Sequence, residues 1–124
     1  MVESGQAVGK RVLLVEDEWL IALEHASRLR DAGYEIVGPV PSVAAALGRL
    51  AEQAVDAAVL DVRLHGHDTF ALGDALQQRA IPFVFVTGMA REVLPARFSG
   101  RHVLQKPLAT GVIETVLKGL LAAR

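Results

Sequence analysis

The chain has 124 residues, of which 52% are hydrophobic, with 13 basic and 14 acidic residues and a formal net charge of −1. This length predicts one domain that buries its own core, and the balanced charge argues against a nucleic-acid surface. The absence of cysteine excludes disulfides, thiolate metal sites and a cysteine nucleophile. We expect neither a signal peptide nor a membrane-spanning segment, since no apolar run approaches about 20 residues. These features favour a cytoplasmic protein.

Apolar runs that do not alternate with polar residues predict strands that are buried on both faces. In chain order the predicted strands lie at 12–15, 34–40, 57–60, 83–86 and 103–104. Residues 1–9 are predicted to be a flexible tail, and residues 10–124 form the single domain.

Amphipathic patterns predict helices between these strands. The first covers about 18–31, and its apolar face holds Trp19, Ala22, Leu23, Ala26 and Leu29. Ser42 is the predicted N-cap of the second helix, and a third follows the polar loop 62–68. Residues 90–100, interrupted by Pro95, predict only one or two helical turns, and the last helix covers about 109–123. The order βαβαβαβαβα predicts an α/β fold with a doubly wound, five-stranded parallel sheet.

Polar residues follow four of the predicted strands: Glu16 and Asp17, then Asp61, then Thr87, then Lys106. In a parallel sheet these carboxyl ends share one edge, which is where such sheets bind ligands. Two carboxylates 4 Å apart repel by about 4 kcal/mol at an effective dielectric of 20, and a hard divalent cation such as Mg²⁺ relieves that repulsion.

The same set of side chains suits phosphoryl transfer. Asp61 can attack phosphorus and form an acyl phosphate. Lys106 and Thr87 can then hold the phosphoryl oxygens, because this chemistry depends mostly on positioning and charge stabilisation. Each fragment alone has an ordinary structural explanation, such as an acidic helix start or a turn, and only their joint occurrence indicates a site.

These residues give the chain a resemblance to the receiver domain of bacterial response regulators over residues 11–123. The matching residues are Glu16, Asp17, Asp61, Thr87 and the pair Lys106-Pro107. The resemblance implies the flavodoxin-like, CheY-like strand order 2-1-3-4-5 and a cis Lys106-Pro107 bond. It implies that Asp61 accepts phosphate from a histidine kinase or a histidine phosphotransfer protein. It also implies Mg²⁺ held directly by Asp17 and Asp61, through water by Glu16, and by the backbone carbonyl of Arg63.

The chain departs from the usual receiver pattern at several positions. Val103 stands three residues before Lys106, where the family usually carries an aromatic residue whose rotamer reports phosphorylation. The loop after Asp61 has His65 in place of the usual proline. The segment 85–89 resembles a subgroup of single-domain regulators with a Phe-Ala-Thr-Gly type motif.

The sequence therefore predicts a stand-alone receiver that signals by altered binding of an unidentified downstream protein, since no output domain follows Arg124. It leaves the oligomeric state open, with a homodimer among the options. We expect autophosphorylation and slow autodephosphorylation only, and no enzyme activity on outside substrates.

Two other functions stay open. One is a pseudo-receiver that binds partners without phosphate. The other is a phosphatase with a nucleophilic aspartate, although such enzymes usually place a second aspartate where this chain has Arg63. A transition-metal site of His65, His67 and Asp61 is a minor alternative to two solvated loop histidines.

Overall fold

The computed structural model of the chain describes residues 9–123. Its elements in chain order are β1 (Arg11–Val15), α1 (Trp19–Asp31), β2 (Glu35–Val40), α2 (Val43–Glu52), β3 (Ala57–Asp61), β4 (Arg63–Leu64), β5 (His67–Asp68), α3 (Phe70–Gln78), β6 (Phe83–Thr87), a 3₁₀ turn (Ala96–Phe98), β7 (His102–Gln105) and α4 (Val112–Ala122). The predicted tail falls outside the described residues except for Gly9, whose N–H donates to the carbonyl of Gly33 at 3.2 Å.

Five parallel strands form the central sheet in the order β2-β1-β3-β6-β7. This confirms the predicted order 2-1-3-4-5, because β6 and β7 are the fourth and fifth predicted strands. The short strands β4 and β5 form a separate antiparallel hairpin within the segment that was predicted to be a polar loop.

Helices cover both faces of the sheet, which explains why the strands carry continuous apolar runs. Every residue of β3 and β6 is buried. On one face the strands pack with residues of α2 and α3, and on the other with residues of α1 and α4. The two cores fix the register of the strands and hence the positions of the residues at their carboxyl ends.

The apolar face predicted for α1 is wrong at two positions. Ala22, Ala26 and Leu29 are buried, but Trp19 is 68% exposed and Leu23 is 49% exposed. Trp19 lies in the first turn of α1, and both side chains border a cleft with Pro39 and Pro41 at the end of β2. The helical period predicts which side of a helix a residue lies on. It does not predict how far the sheet extends beneath that side of the helix.

The other predicted helices are confirmed with small differences. Ser42 is the N-cap of α2, and its hydroxyl accepts from the N–H of Ala45 at 3.1 Å. The weak segment 90–100 contains only the 3₁₀ turn, which is anchored by the buried ring of Phe98. Helix α4 begins later than predicted, after Gly111 in the left-handed conformation. None of the helices within residues 9–123 is long and apolar enough to cross a membrane.

Gly73 of α3 faces the ring of Phe98, and this contact predicts opposite effects for two glycine substitutions. A Cβ at Gly73 would lie 2.9 Å from two ring carbons of Phe98, whereas a Cβ at Gly48 of α2 would meet nothing within 4 Å. We expect Gly73→Ala to lower the free energy of unfolding by about 1–2 kcal/mol through overpacking. Gly48→Ala should raise it by about 0.5–1 kcal/mol through helix propensity. Urea unfolding followed by circular dichroism measures both, and equal effects would contradict the packing described for Phe98.

Candidate functional site

The predicted site residues meet at the carboxyl edge of the sheet. Glu16 and Asp17 directly follow β1, Asp61 ends β3, Thr87 ends β6 and Lys106 directly follows β7. Backbone hydrogen bonds continue past the strand ends, since the N–H of Lys106 donates to the carbonyl of Thr87 at 2.8 Å. Asp61 is in register with Val86, so Thr87 lies one residue beyond it on the neighbouring strand. The topology alone therefore brings these side chains together.

Three carboxylates form a compact cluster at this edge. Glu16, Asp17 and Asp61 each offer an oxygen, and these oxygens lie within 4.8 Å of one another. Within residues 9–123, no other three acidic, histidine or cysteine side chains are placed closely enough together to hold a metal ion. Glu16 and Asp61 are buried, and Asp17 is partly buried. His65 and His67 are absent from this group, although His65 Nδ1 lies 3.5 Å from an oxygen of Asp17.

Lys106 supplies a positive charge to the cluster. Its Nζ donates to Glu16 Oε1 at 2.7 Å and to Asp61 Oδ2 at 3.3 Å. The Lys106-Pro107 bond is cis, as the resemblance implied. Three acidic side chains and one ammonium group thus share a mostly buried volume, and buried charges are costly when they are not fully paired.

The pKa values of these groups reflect the shortage of positive charge. Burial, followed by the hydrogen bond and the charge of Glu16, raises the pKa of Asp61 to about 8, while Lys106 opposes the shift. Burial disfavours the charged form of Lys106, but the hydrogen bonds and charges of Glu16 and Asp61 outweigh it, so the pKa of Lys106 is raised. Additional positive charge at this site would favour the ionised form of Asp61.

The loop after β3 is tied to the cluster by contacts that the sequence did not reveal. The backbone N–H of His65 donates to Asp17 Oδ2 at 2.8 Å. Burial opposes ionisation of Asp17, but this hydrogen bond and the neighbouring Glu16 and His65 outweigh it and lower the pKa of Asp17. The buried hydroxyl of Thr69 donates to the carbonyl of Asp61 at 2.6 Å and so fixes the backbone of that residue. The ligand role predicted for the Arg63 carbonyl stays a prediction.

Thr87 contacts a residue that the sequence analysis missed. Its hydroxyl donates to Glu92 Oε1 at 2.8 Å and accepts from the N–H of Met89 at 3.0 Å. Arg63 Nη2 lies 3.3 Å from the other oxygen of Glu92. The only signal in the sequence is an acidic residue five positions after Thr87, in the segment whose conformation was hardest to predict.

Two grooves open beside the cluster. A groove of about 450 Å³ between α1 and α4 has Gly88, Lys106 and Pro107 among its lining residues. A smaller cleft of about 210 Å³ is lined by Glu16, Asp17 and Trp19, among others. The smaller cleft therefore reaches two of the three carboxylates, and the larger groove reaches Lys106.

This fold and this site define the chain as a receiver. Residues 12–118 match the response regulator receiver domain, and the chain belongs to that family. The sheet order and a similar CheY-like receiver structure confirm the predicted fold class. Receiver domains of this family work in two-component signalling with a phosphodonor and a downstream partner.

Individual relatives are similar over most of this chain. The solution structure of SdrG from Sphingomonas melonis Fr1 is 40% identical, with a TM-score of 0.79 over 91% of this chain and 97% of SdrG. The BeF3-activated conformation of SdrG from Pseudomonas melonis Fr1 is also 40% identical, with a TM-score of 0.76 over 92% and 98% of the two chains. The transcriptional regulatory protein PdtaR of Mycobacterium tuberculosis is 32% identical over 96 residues, which are 77% of this chain. The chain spans about half the length of that curated relative (47%).

The raised pKa of Asp61 predicts how stability depends on pH in metal-free buffer. The folded chain holds the Asp61 proton up to a pH of about 8, whereas the ordinary pKa is 3.8. The unfolded chain therefore binds fewer protons, and the free energy of unfolding falls as the pH rises from about 4 to about 8. We expect Asp61→Asn to lack this decrease, so that near pH 8 its free energy of unfolding exceeds that of the wild type by several kcal/mol.

Urea unfolding at several pH values measures this difference. Asp31→Asn, which changes an exposed carboxylate at the end of α1, should follow the wild-type profile. If the free energy of unfolding depends on pH in the same way in the wild type and in Asp61→Asn, the pKa of Asp61 is not raised in the folded chain.

Proposed function

We propose that this receiver accepts a phosphoryl group on Asp61 with the help of Mg²⁺ and signals through altered binding of a downstream protein. One observation carries the proposal: the oxygens of Glu16, Asp17 and Asp61 lie within 4.8 Å of one another. Nothing in folding favours that crowding, because full ionisation of the three carboxyl groups would bring like charges together. A site that binds a cation and then a phosphoryl group explains why the charges are held together.

The donor set at this edge fits Mg²⁺. It consists of carboxylate oxygens, which are the hard ligands that Mg²⁺ prefers, and it leaves positions for water and phosphate oxygens. Asp17 and Asp61 would hold the ion directly, Glu16 would do so through water, and the Arg63 carbonyl would be a further ligand. When bound, the ion supplies the positive charge that lets anionic phosphoryl oxygens approach Asp61.

The chain's own residues account for the transfer. An oxygen of Asp61 attacks phosphorus, the bond from phosphorus to the donor nitrogen breaks, and the imidazole nitrogen keeps the electron pair. Lys106, now 3.3 Å from Asp61, is placed to pair with a phosphoryl oxygen after transfer. Thr87 offers one hydroxyl proton to another phosphoryl oxygen. Slow hydrolysis of the acyl phosphate would end the signal, and we propose no activity on outside substrates.

We also propose a histidine kinase or a histidine phosphotransfer protein as the phosphodonor, in the cytoplasm. The groove between α1 and α4 supports this, because it is lined in part by Lys106, which lies 3.3 Å from Asp61, and it can accept part of a protein partner. The BeF3-activated conformation of SdrG, a relative that is 40% identical to this chain, supports a phosphoryl group as the activating ligand.

Treatment with Mg²⁺ and a small-molecule phosphodonor such as phosphoramidate tests the assignment of Asp61. We expect one acid-stable, base-labile phosphoryl group per chain by intact mass, absent in Asp61→Asn and present in Asp31→Asn. Lys106→Met should slow the reaction by about tenfold, the equivalent of one lost charge-assisted hydrogen bond.

The alternative functions give different results in the same experiment. The absence of an adduct with any donor would contradict the proposal and favour a pseudo-receiver. Continuous hydrolysis of an external phosphoester would instead indicate an aspartate-nucleophile phosphatase.

A further inference from the structure

Glu92 is a buried carboxylate outside the cluster of Glu16, Asp17 and Asp61. Its side chain is 3% exposed, although it belongs to residues 88–95, which contain neither helix nor strand. One oxygen accepts the hydroxyl proton of Thr87 at 2.8 Å, and the other lies 3.3 Å from Arg63 Nη2. A carboxylate is rarely buried unless it has such partners. These contacts therefore hold Glu92 in place.

The contact with Glu92 uses the only proton that Thr87 can donate. A threonine hydroxyl has one O–H donor and two acceptor positions. In this structure the donor goes to Glu92, and one acceptor position is filled by the N–H of Met89. Thr87 therefore cannot donate to a second anion until it leaves Glu92.

We propose that Glu92 competes with the phosphoryl group on Asp61 for the hydroxyl of Thr87, and that phosphorylation displaces Glu92 and releases residues 88–95. This inference rests on the proposed function, which places a phosphoryl group beside Thr87. A phosphoryl group carries about two negative charges and three strong acceptor oxygens, so it outcompetes a single carboxylate for the hydroxyl. Once Thr87 has turned away, Glu92 loses its shortest hydrogen bond and moves toward water.

The surroundings of Glu92 favour such a movement. Val93 beside it is 82% exposed and Met89 is 50% exposed, whereas Leu94 packs against the core, so the apolar anchor of this segment lies near its C-terminal end. Arg63 is itself partly exposed and can follow Glu92 or turn toward the phosphoryl group. Val103, at the position where receivers usually carry a reporting aromatic residue, is 40% exposed and has no ring to couple with Thr87. Displacement of Glu92 gives this chain another route from the phosphoryl group to its surface.

Equilibrium binding of beryllofluoride with Mg²⁺, a stand-in for the phosphoryl group, tests the competition. We expect Glu92→Gln to bind about 5-fold more tightly than the wild type, because a neutral amide holds the hydroxyl less strongly than a carboxylate. Glu92→Ala, which removes the acceptor, should bind more tightly still. Asp74→Asn, which breaks the exposed ion pair with Arg97, is the matched control and should stay within about twofold of the wild type.

Hydrogen exchange gives a second readout. Beryllofluoride should raise exchange in residues 88–95 of the wild type, and Glu92→Ala should show that raised exchange without the ligand. If Glu92 only orients Thr87, its removal will weaken beryllofluoride binding and overturn the inference, as would wild-type exchange that does not change on binding.

The proposed function and this inference fail in different ways. Asp61→Asn is expected to bind no beryllofluoride. If the wild type also binds none, both the proposed function and the role of Glu92 are refuted. A wild-type chain that binds it with the same affinity as both Glu92 variants would refute the role of Glu92 alone.

Discussion

The structure depends on the placement of three carboxylates and one ammonium group at the end of a buried sheet. The cost of that placement is electrostatic, since Lys106 contacts both Glu16 and Asp61 but carries a single charge. The benefit under the proposed function is chemical, because a group of oxygens that lacks positive charge would take up a cation and then an anionic phosphoryl group. The apolar layers on both faces supply the stability that lets the chain tolerate this repulsion.

The contacts on either side of Thr87 connect the chemistry to the surface. On one side lie Asp61 and Lys106, where the phosphoryl group would form. On the other side lie Arg63 of the short strand β4 and Glu92, which belongs to a segment without helix or strand. Thr87 can donate to only one side at a time, because its hydroxyl has one proton. In the proposed switch, a single hydrogen bond separates two arrangements of the same edge, and a local charge change can bias an element of this kind.

The sequence predicted those features that follow from strand burial. Continuous apolar runs located the five strands, and the rule that parallel strands end at one edge brought Glu16, Asp61 and Lys106 together. It could not predict contacts that depend on loop conformation, such as the bond from Thr69 to the Asp61 carbonyl or from Thr87 to Glu92. No periodic pattern marks those residues, and their partners are fixed only once the chain has folded.

The dependence of stability on MgCl₂ tests most directly whether the acidic cluster is a cation site. A ligand that binds the folded chain raises the free energy of unfolding by about 1.4 kcal/mol at ten times its dissociation constant. In urea unfolding, the wild type and Asp31→Asn should gain stability with MgCl₂ beyond that given by NaCl of equal ionic strength, and Asp17→Asn should lose that gain. Equal effects of the two salts on the wild type, or an undiminished gain in Asp17→Asn, would contradict the account.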